Sequence, residues 1–153
     1  MTAPLTDRID RKIAAALVAD GRSTLKELAA KTGLSVSAVQ ARVRKLESDG
    51  VISGYSAHID PEALGLPLAA FIALTPLDPD HEYDIPELLA DLSDIEACHS
   101  VAGEASFMLY VRVPGPTALE ELIREIRRRA KATTRTTVVL QTFYEERPHA
   151  PRD

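Results

Sequence analysis

The feature that most restricts the fold is a close succession of helix starts and helix stops. Thr24 and Glu27 form a capping box, in which a hydroxyl and a carboxylate satisfy free amides at the start of a helix. Gly33 ends this helix early, Ser35 is placed to cap the next one, and Gly50 closes it. The sequence therefore predicts two short helices joined by a tight turn that contains glycine.

A further helix precedes this pair and completes a three-helix unit. It is predicted over residues 6–20, where apolar side chains recur at helical spacing: Ile9, Ile13, Ala16 and Leu17. Three helices in so short a stretch are typical of a helix-turn-helix. We assign residues 1–54 to this domain and residues 55–66 to a linker strand, and residues 51–60 read as an extended wing or connecting strand.

The third helix has two different faces. Successive residues turn about 100° around a helix axis, so one side collects a predicted core stripe of Val36, Val39, Val43 and Leu46. The opposite side carries Ser37, Ala41, Arg44 and Ser48, with Ala38, Gln40 and Lys45 on the shoulders and Arg42 nearer the core edge. Small outward residues let a helix approach base edges in the major groove, where Gln pairs with adenine and Arg with guanine or phosphate.

This pattern predicts a DNA-binding surface. Its candidate residues are Arg22, Lys26, Ser35, Ser37, Ala38, Gln40, Arg42, Arg44 and Lys45. A solvated amphipathic helix is the plain alternative, since a charged outer face alone is routine. The charge distribution supports the DNA reading: residues 1–54 carry nine Lys/Arg and six Asp/Glu, whereas residues 55–153 carry nine and 17. A basic module therefore precedes an acidic one, although the net charge of the chain is −5.

The second module alternates strands and helices. Strands are predicted over 68–75, 95–101, 107–113 and 136–144, with a helix after the first that Asp84 caps. A second helix follows the third strand and is predicted to open with a capping box from Thr117 to Glu120. The order β-α-β-β-α-β is that of a ferredoxin-like sandwich, assigned to residues 67–147, with residues 148–153 as a disordered tail. The fold class is therefore α+β.

The strands predict association rather than catalysis. Both faces of the third and last strands are apolar, and two helices cover only one face of such a sheet. The uncovered face is expected to pack on a second copy of the chain; the alternative is that the N-terminal domain folds back over it. A two-fold pair of recognition helices also suits a palindromic operator.

Nothing in the sequence predicts an enzyme, a metal site or a cofactor. Cys98 and His99 are adjacent on a predicted strand and so point to opposite faces, and we expect Cys98 to be a small core residue. The scattered histidines form no cluster with metal-ligand spacing, and no phosphate-binding glycine loop is present. The absence of a long apolar run, of a secretion signal and of a second cysteine leads us to expect a cytoplasmic chain with no membrane partner.

The combined pattern resembles the Lrp/AsnC, or feast/famine, family of transcriptional regulators, especially its actinobacterial members. The matching residues are Ile9-Asp10, the segments LSVSAVQARVRKLE (34–47) and GVISGY (50–55), Asp60-Pro61 with Leu64-Gly65, and Val101-Ala-Gly103. The resemblance implies a winged helix-turn-helix joined to an αβ sandwich of the RAM/ACT type. Such chains form dimers that assemble into tetramers or octamers, and small effectors, usually amino acids, bind at contacts between dimers.

The resemblance also implies an effector site in the second module. Carried onto this sequence, it comprises Val101, Gly103, Glu104 and Ser106 from the loop after the second strand. Thr134 and Thr136, at the start of the last strand of a neighbouring chain, complete it. Ser106 stands where the family commonly has an aspartate, and Glu104 is the candidate replacement for its negative charge. The rival functions are an oligomeric small-molecule-binding module whose helix-turn-helix serves only assembly, and a small ferredoxin-like enzyme.

Overall fold

The computed structural model describes residues 5–145, 147 and 149. They divide into two compact units, one reaching to Ala57 together with the residues from Tyr144 onward, and the other running from His58 to Phe143. The boundary after Ala57 lies inside the segment predicted as a linker. Most of the predicted tail, residues 148–153, lies outside the described residues.

The first unit contains three helices whose starts are capped as the sequence predicts. They are α1 (Arg8–Ala19), α2 (Leu25–Thr32) and α3 (Val36–Ser48). Both halves of the capping box are present at α2, since Glu27 N donates to Thr24 Oγ1 at 3.3 Å and Thr24 N donates to Glu27 Oε2 at 2.7 Å. Gly33 adopts a left-handed conformation at φ +73°. This conformation, which glycine adopts without strain, lets α2 stop at Gly33 and the N-cap of α3, Ser35, follow two residues later.

The core of this unit comes from one buried stripe on each helix. Ile13, Leu28, Val39 and Leu46 are each at most 3% exposed and pack together. Val43 is half-buried against them. Val36 was wrongly assigned to this core: it is the first residue of α3 and is 46% exposed.

The predicted wing strand is not formed. Residues 51–60 contain no strand, and their first two amides, those of Val51 and Ile52, both donate to the carbonyl of Leu46 at 2.9 and 3.0 Å. These bonds fold the chain back onto the end of α3. Gly50, at φ +70°, makes the reversal that they require. Residues 61–65, in the segment predicted as a linker strand, form a turn.

The second unit is a four-stranded antiparallel sheet with the strand order β2-β3-β1-β4. Its strands are β1 (Leu68–Pro76), β2 (Ile95–Ser100), β3 (Phe107–Val113) and β4 (Ala132–Val138). A 3-10 helix (Pro79–Asp84) leads into α4 (Ile85–Leu89) after β1, and α5 (Pro116–Ala130) connects β3 to β4. This order and topology confirm the ferredoxin-like prediction and the α+β class.

The two faces of the sheet have different environments. One face packs on α4 and α5 and forms the main core, which includes Ile72, Leu109, Val111 and Ile126, each 0% exposed. The other, called here the open face, carries the alternate residues: Ala69, Phe71 and Ala73 from β1, and Met108 and Tyr110 from β3. The rings of Phe71 and Tyr110 lie 4.9 Å apart between centroids on this face. The prediction that both faces of β3 are apolar therefore holds at these positions.

The last strand starts four residues earlier and ends six residues earlier than predicted. β4 is built mainly of threonines, whose branched side chains favour strands as strongly as the valines on which the prediction relied. Lys131, at φ +45°, turns the chain directly from α5 into the strand. Leu140, Phe143 and Tyr144, expected in the strand, lie beyond it and are 97%, 82% and 68% exposed.

Three smaller expectations were also wrong. Cys98 is exposed rather than buried, because β2 is an edge strand. Thr117 caps nothing, since α5 begins one residue earlier, at Pro116, after Gly115. Asp84 makes no capping bond to α4; instead Asp78 accepts from the amide of Asp80 at the start of the 3-10 helix. No helix in the described part of the chain is long and apolar enough to span a bilayer.

The two threonines of the predicted capping boxes give a matched test of the fold. Thr24→Ala should lower the free energy of unfolding by about 0.5–2 kcal/mol, because it removes an N-cap that is formed. Thr117→Ala should change it by less than about 0.5 kcal/mol, because its exposed side chain caps nothing. Urea unfolding followed by circular dichroism measures both. Equal losses in the two variants would contradict the assigned helix starts.

Candidate functional site

The outer face of α3 is the first candidate site. Ser35 fixes its start, since Ser35 Oγ accepts from the amide of Ala38 at 3.2 Å and lies 3.1 Å from Ser37 Oγ. Burial of Val39 and Leu46 then sets the rotation of the helix about its axis. Ser37, Arg44 and Lys45 are consequently exposed, while Ala38 and Gln40 are half-buried on the shoulders.

The basic side chains of this face differ in their partners. Arg44 makes no hydrogen bond or ion pair with any residue in the described part of the chain, so its guanidinium is free to reach a ligand. Lys45 Nζ lies 2.6 Å from Asp49 Oδ2, in a pair whose lysine is 70% exposed and can exchange this partner for a phosphate. Arg22 and Lys26, from the turn before α2 and its first turn, are also exposed.

Arg42 has a structural partner that the sequence analysis missed. Its Nη1 atom lies 3.0 Å from Asp7 Oδ1 and 2.7 Å from Asp10 Oδ1. Asp7 is also the N-cap of α1 and accepts from the amides of Ile9 and Asp10 at 2.8 and 2.9 Å. The amide bond from Asp10, with that from Ile9 and the charge of Arg42, lowers the pKa of Asp7 below its ordinary value. The guanidinium of Arg42 thus connects α3 to the start of α1. That Arg42 also contacts DNA remains a prediction.

The second candidate site is a pocket of about 550 Å³ at one end of the open face. Its walls are the loop after β2 and the start of β4, and β1 and β3 form its floor. The lining residues are Ala73, Thr75, Val101, Ala102, Gly103, Glu104, Ala105, Met108, Thr133, Thr134 and Arg135. Four of the six predicted effector residues, Val101, Gly103, Glu104 and Thr134, are therefore brought together in one place.

The other two predicted effector residues lie outside the lining. The backbone of Ser106 closes the loop, since its carbonyl accepts from Val101 N and its amide donates to the Leu74 carbonyl, both at 3.0 Å. Thr136 pairs with Ile72 and Thr134 with Leu74, so both side chains lie on the helix-covered face, where Thr134 Oγ1 accepts from Arg127 Nε at 2.8 Å. Their role in binding remains a prediction from the resemblance alone.

The sequence analysis missed the floor and one wall of this pocket. Ala73 lies opposite Met108 on one side and opposite Arg135 on the other, so three adjacent strands contribute to one concave patch. Because the side chain of Ala73 is only a methyl group, the space between the long side chains of Met108 and Arg135 stays open. Arg135 Nη1 lies 3.0 Å from Glu104 Oε2, across the pocket from wall to wall. Had the strand been predicted from its true start at Ala132, the alternation of side chains would have placed Arg135 on the open face. The predicted strand began at residue 136 and so left Arg135 out.

Neither candidate site has the composition of a metal centre or a catalytic centre. Among the described residues, no group of three or more His, Cys, Asp or Glu side chains is placed to hold a metal ion. The pocket lining contains one carboxylate and one guanidinium, paired with each other, and no histidine or cysteine. The arrangement suits binding of a small molecule.

A helix-turn-helix with an exposed basic face, followed by a ferredoxin-like unit with a small-molecule pocket, defines a ligand-responsive class of DNA-binding protein. The comparisons identify the family. Residues 6–53 match the family model described as winged helix-turn-helix DNA-binding, and residues 69–149 match the model described as Lrp/AsnC ligand binding domain. The chain belongs to the Lrp/AsnC family of transcriptional regulators.

Relatives of known identity agree along nearly the whole chain. The transcriptional regulator LrpA of Mycobacterium tuberculosis is 55% identical over 95% of this chain and 97% of its own length. The leucine-responsive regulatory protein of Escherichia coli is 37% identical over 88% of this chain and 85% of its own. A feast or famine regulatory protein of M. tuberculosis complexed with L-methionine superposes with a TM-score of 0.91, at 55% identity, over 95% of this chain and 99% of that one.

These relatives confirm that the chain is a transcriptional regulator with a DNA-binding and a ligand-binding domain. They are named as regulators, which also confirms the prediction that this chain is not an enzyme. They do not test which side chains meet DNA or effector.

The two arginines of α3 give a matched pair of variants. Arg44→Ala should weaken specific DNA binding by about 1–3 kcal/mol with an unchanged melting temperature, because the exposed guanidinium has no role in the fold. Arg42→Ala should lower the melting temperature, because Asp7 and Asp10 lose the cation that they share. Gel-shift titration and thermal melting measure the two effects. An Arg44→Ala variant that binds DNA as tightly as wild type would remove this residue from the contact surface.

Proposed function

We propose that this regulator works in the cytoplasm as a homodimer that places two copies of α3 in successive major grooves of a palindromic operator. An amino acid bound in the pocket of the second unit changes its affinity for that operator. The observation that carries the proposal is the outer face of α3, where Ser37, Arg44 and Lys45 are exposed around small side chains.

The chemistry of this face suits base and phosphate contacts together. Arg44 can form two parallel hydrogen bonds with guanine, and Gln40 can do the same with adenine from the shoulder of the helix. Lys45, Arg22 and Lys26 supply charges for the phosphates on either side. Ser37 and the small Ala38 and Ala41 leave room for the helix to enter the groove.

The open face of the sheet supports the dimer. Phe71 is 43% exposed and its ring lies tilted against that of Tyr110, with Ala69, Ala73 and Met108 on the same face. Aromatic and methionine side chains are enriched at the centres of protein interfaces, and a two-fold contact would bury the same patch on both copies. Two recognition helices related by such an axis match half-sites one helical turn apart. Further contacts between dimers would give the tetramer or octamer that the family resemblance implies.

The pocket supports an amino acid as the effector. It combines apolar floor residues with one negative and one positive side chain, and the structure of a relative at 55% identity is complexed with L-methionine. A ligand changes DNA affinity only if it binds the competing conformations or assemblies with different affinities. The proposal therefore requires that DNA binding and effector binding be measurably coupled in both directions.

Binding to the DNA upstream of its own coding region is the direct test. We expect a specific complex whose affinity falls steeply with salt, because phosphate contacts release counterions. L-methionine or another of the twenty amino acids should change this affinity by about five- to 150-fold, the usual range of allosteric coupling. Gel shifts at several salt concentrations, with and without each amino acid, measure both. A chain that binds amino acids but no DNA would instead be a small-molecule-binding module whose helix-turn-helix serves assembly.

A charged residue in the centre of the open face tests the dimer. Phe71→Glu should convert the assembly to a smaller species and weaken operator binding, because two half-sites are then no longer bound by one linked pair of helices. Tyr83→Glu is the control, since Tyr83 is 93% exposed and lies on the 3-10 helix, away from the open face. Light scattering gives the mass of each variant. An unchanged mass for Phe71→Glu would place the subunit contact elsewhere.

A further inference from the structure

The cations of the second module are concentrated in one short segment. Residues 55–153 contain nine Lys/Arg and 17 Asp/Glu, yet six of the nine cations and only one of the acids, Glu125, fall within residues 124–135. This segment covers the last two turns of α5 and the first half of β4. An acidic module therefore carries one strongly basic segment, most of which lies outside the pocket lining.

Four of these cations lie on one outward face of α5 and the residue that follows it. Residues three, four and seven positions apart share one side of a helix, and the buried Leu122, Ile126 and Ala130 take the opposite side. The exposed set, called here the basic stripe, consists of Arg124, Arg127, Arg128 and Lys131.

The basic stripe is poorly neutralised by its own chain. Arg127 donates to a hydroxyl of β4 at 2.8 Å, and neither Arg127 nor Lys131 pairs with a carboxylate among the described residues. Glu125 is shared between Arg128 at 2.5 Å and Arg129 at 2.6 Å, and hydrogen bonds from these two arginines lower its pKa to about 2. Arg128 is 68% exposed, so water screens its pair and the arginine can exchange this partner at little cost.

Stabilisation of the helix end does not account for so many cations. The partial negative charge at a helix C-terminus favours a cation there, and the last turns of α2 and α3 carry one lysine each. The last turn of α5 carries three arginines. Arg124 and Arg128, like Arg127 and Lys131, are like charges four residues apart, which destabilise a helix. An external anion would relieve this repulsion.

We propose that the basic stripe binds the phosphate backbone of duplex DNA outside the segment that α3 reads. DNA is the partner because this chain has a DNA-binding domain in its first unit, which holds a polyanion to the same molecule. From Arg124 to Lys131 the stripe spans about 10 Å of helix axis, over which one DNA strand presents about three phosphates. Such contacts add affinity without reading sequence, so they go beyond the operator contact proposed for α3.

The salt dependence of DNA binding by the full chain tests this second surface. Two duplexes are compared: the shortest upstream fragment that forms the specific complex, and the same fragment extended by about 30 base pairs, or three helical turns, on each side. Each phosphate contact steepens the fall of log affinity against log salt by about 0.9. Wild type should therefore show a steeper slope on the long duplex than on the short one.

The double variant Arg127→Gln/Lys131→Gln removes the two cations of the stripe that lack a carboxylate partner. Between about 50 and 200 mM salt it should lose about tenfold less affinity for the long duplex than wild type loses, for each chain in contact with flanking DNA. On the short duplex the two proteins should behave alike. Arg127→Lys, which keeps the charge, should retain the wild-type slope. Tyr83→Glu is the control, because it also makes the second unit more negative but lies on the 3-10 helix, and it should leave both slopes at the wild-type value.

Equal slopes of wild type on the two duplexes would overturn the proposal, while the operator contact of α3 would stand. A double variant that keeps the wild-type slope on the long duplex would overturn it as well. If light scattering then shows a smaller mass for this variant, the stripe contacts a second copy of the chain instead of DNA. Circular dichroism checks the fold; if the double variant is unfolded, Lys131→Gln alone is titrated and should show about half of the change in slope.

Discussion

The DNA-binding unit depends on the burial of one stripe of α3. Val39 and Leu46 are fully enclosed against Ile13 and Leu28, and each buried side chain of this size contributes about 1.5–3 kcal/mol relative to exposure. Because these residues fix the rotation of the helix, they also decide which residues of α3 face outward. The double ion pair of Arg42 with Asp7 and Asp10 adds a second, polar tie between α3 and α1. The function of the outer face thus follows from the packing of the inner one.

An equivalent constraint in the second unit is the register of the central strand. β1 pairs with β3 on one side and β4 on the other, which places Ala73 between Met108 and Arg135. A larger residue at this position would fill the floor of the pocket. The same alternation puts Ile72 into the core and Phe71 onto the open face. One short strand therefore serves the core, the proposed subunit contact and the proposed effector site.

The sequence predicted the structure best where a short run of residues is compatible with only one local conformation. The Thr24–Glu27 capping box, the helix stop at Gly33 and the alternation of β3 each specify structure within a few residues, and all were predicted correctly. The errors arose where two local solutions compete. Thr117 satisfies the capping pattern of a helix that starts at Ala118, but Pro116 can start the same helix two residues earlier. The threonines of β4 and the apolar residues after it both favour a strand, and only pairing with β1 selects the former.

Only part of the pocket could likewise be predicted, since four of its eleven lining residues were named from the sequence. Residues adjacent in sequence, such as those of α3 and of the loop after β2, were found from pattern and resemblance. The partners of Arg42 and of Glu104 lie more than 30 residues away along the chain, and no local pattern brings them together. Such long-range pairs depend on the packed fold, which is why Arg135 was absent from the predicted site.

The central claim is that the outer face of α3 lies in the major groove, and directed DNA cleavage tests it at one residue. Cys98 is the only cysteine in the chain, so replacing it with serine and changing Ser37 to cysteine gives a single attachment point for an iron chelate. On operator DNA we expect two clusters of strand breaks, one helical turn apart and in the major groove. The control is the same chelate attached to a cysteine at position 83, in the second unit. If the chelates at positions 37 and 83 both give weak and uniform breaks, the account is contradicted.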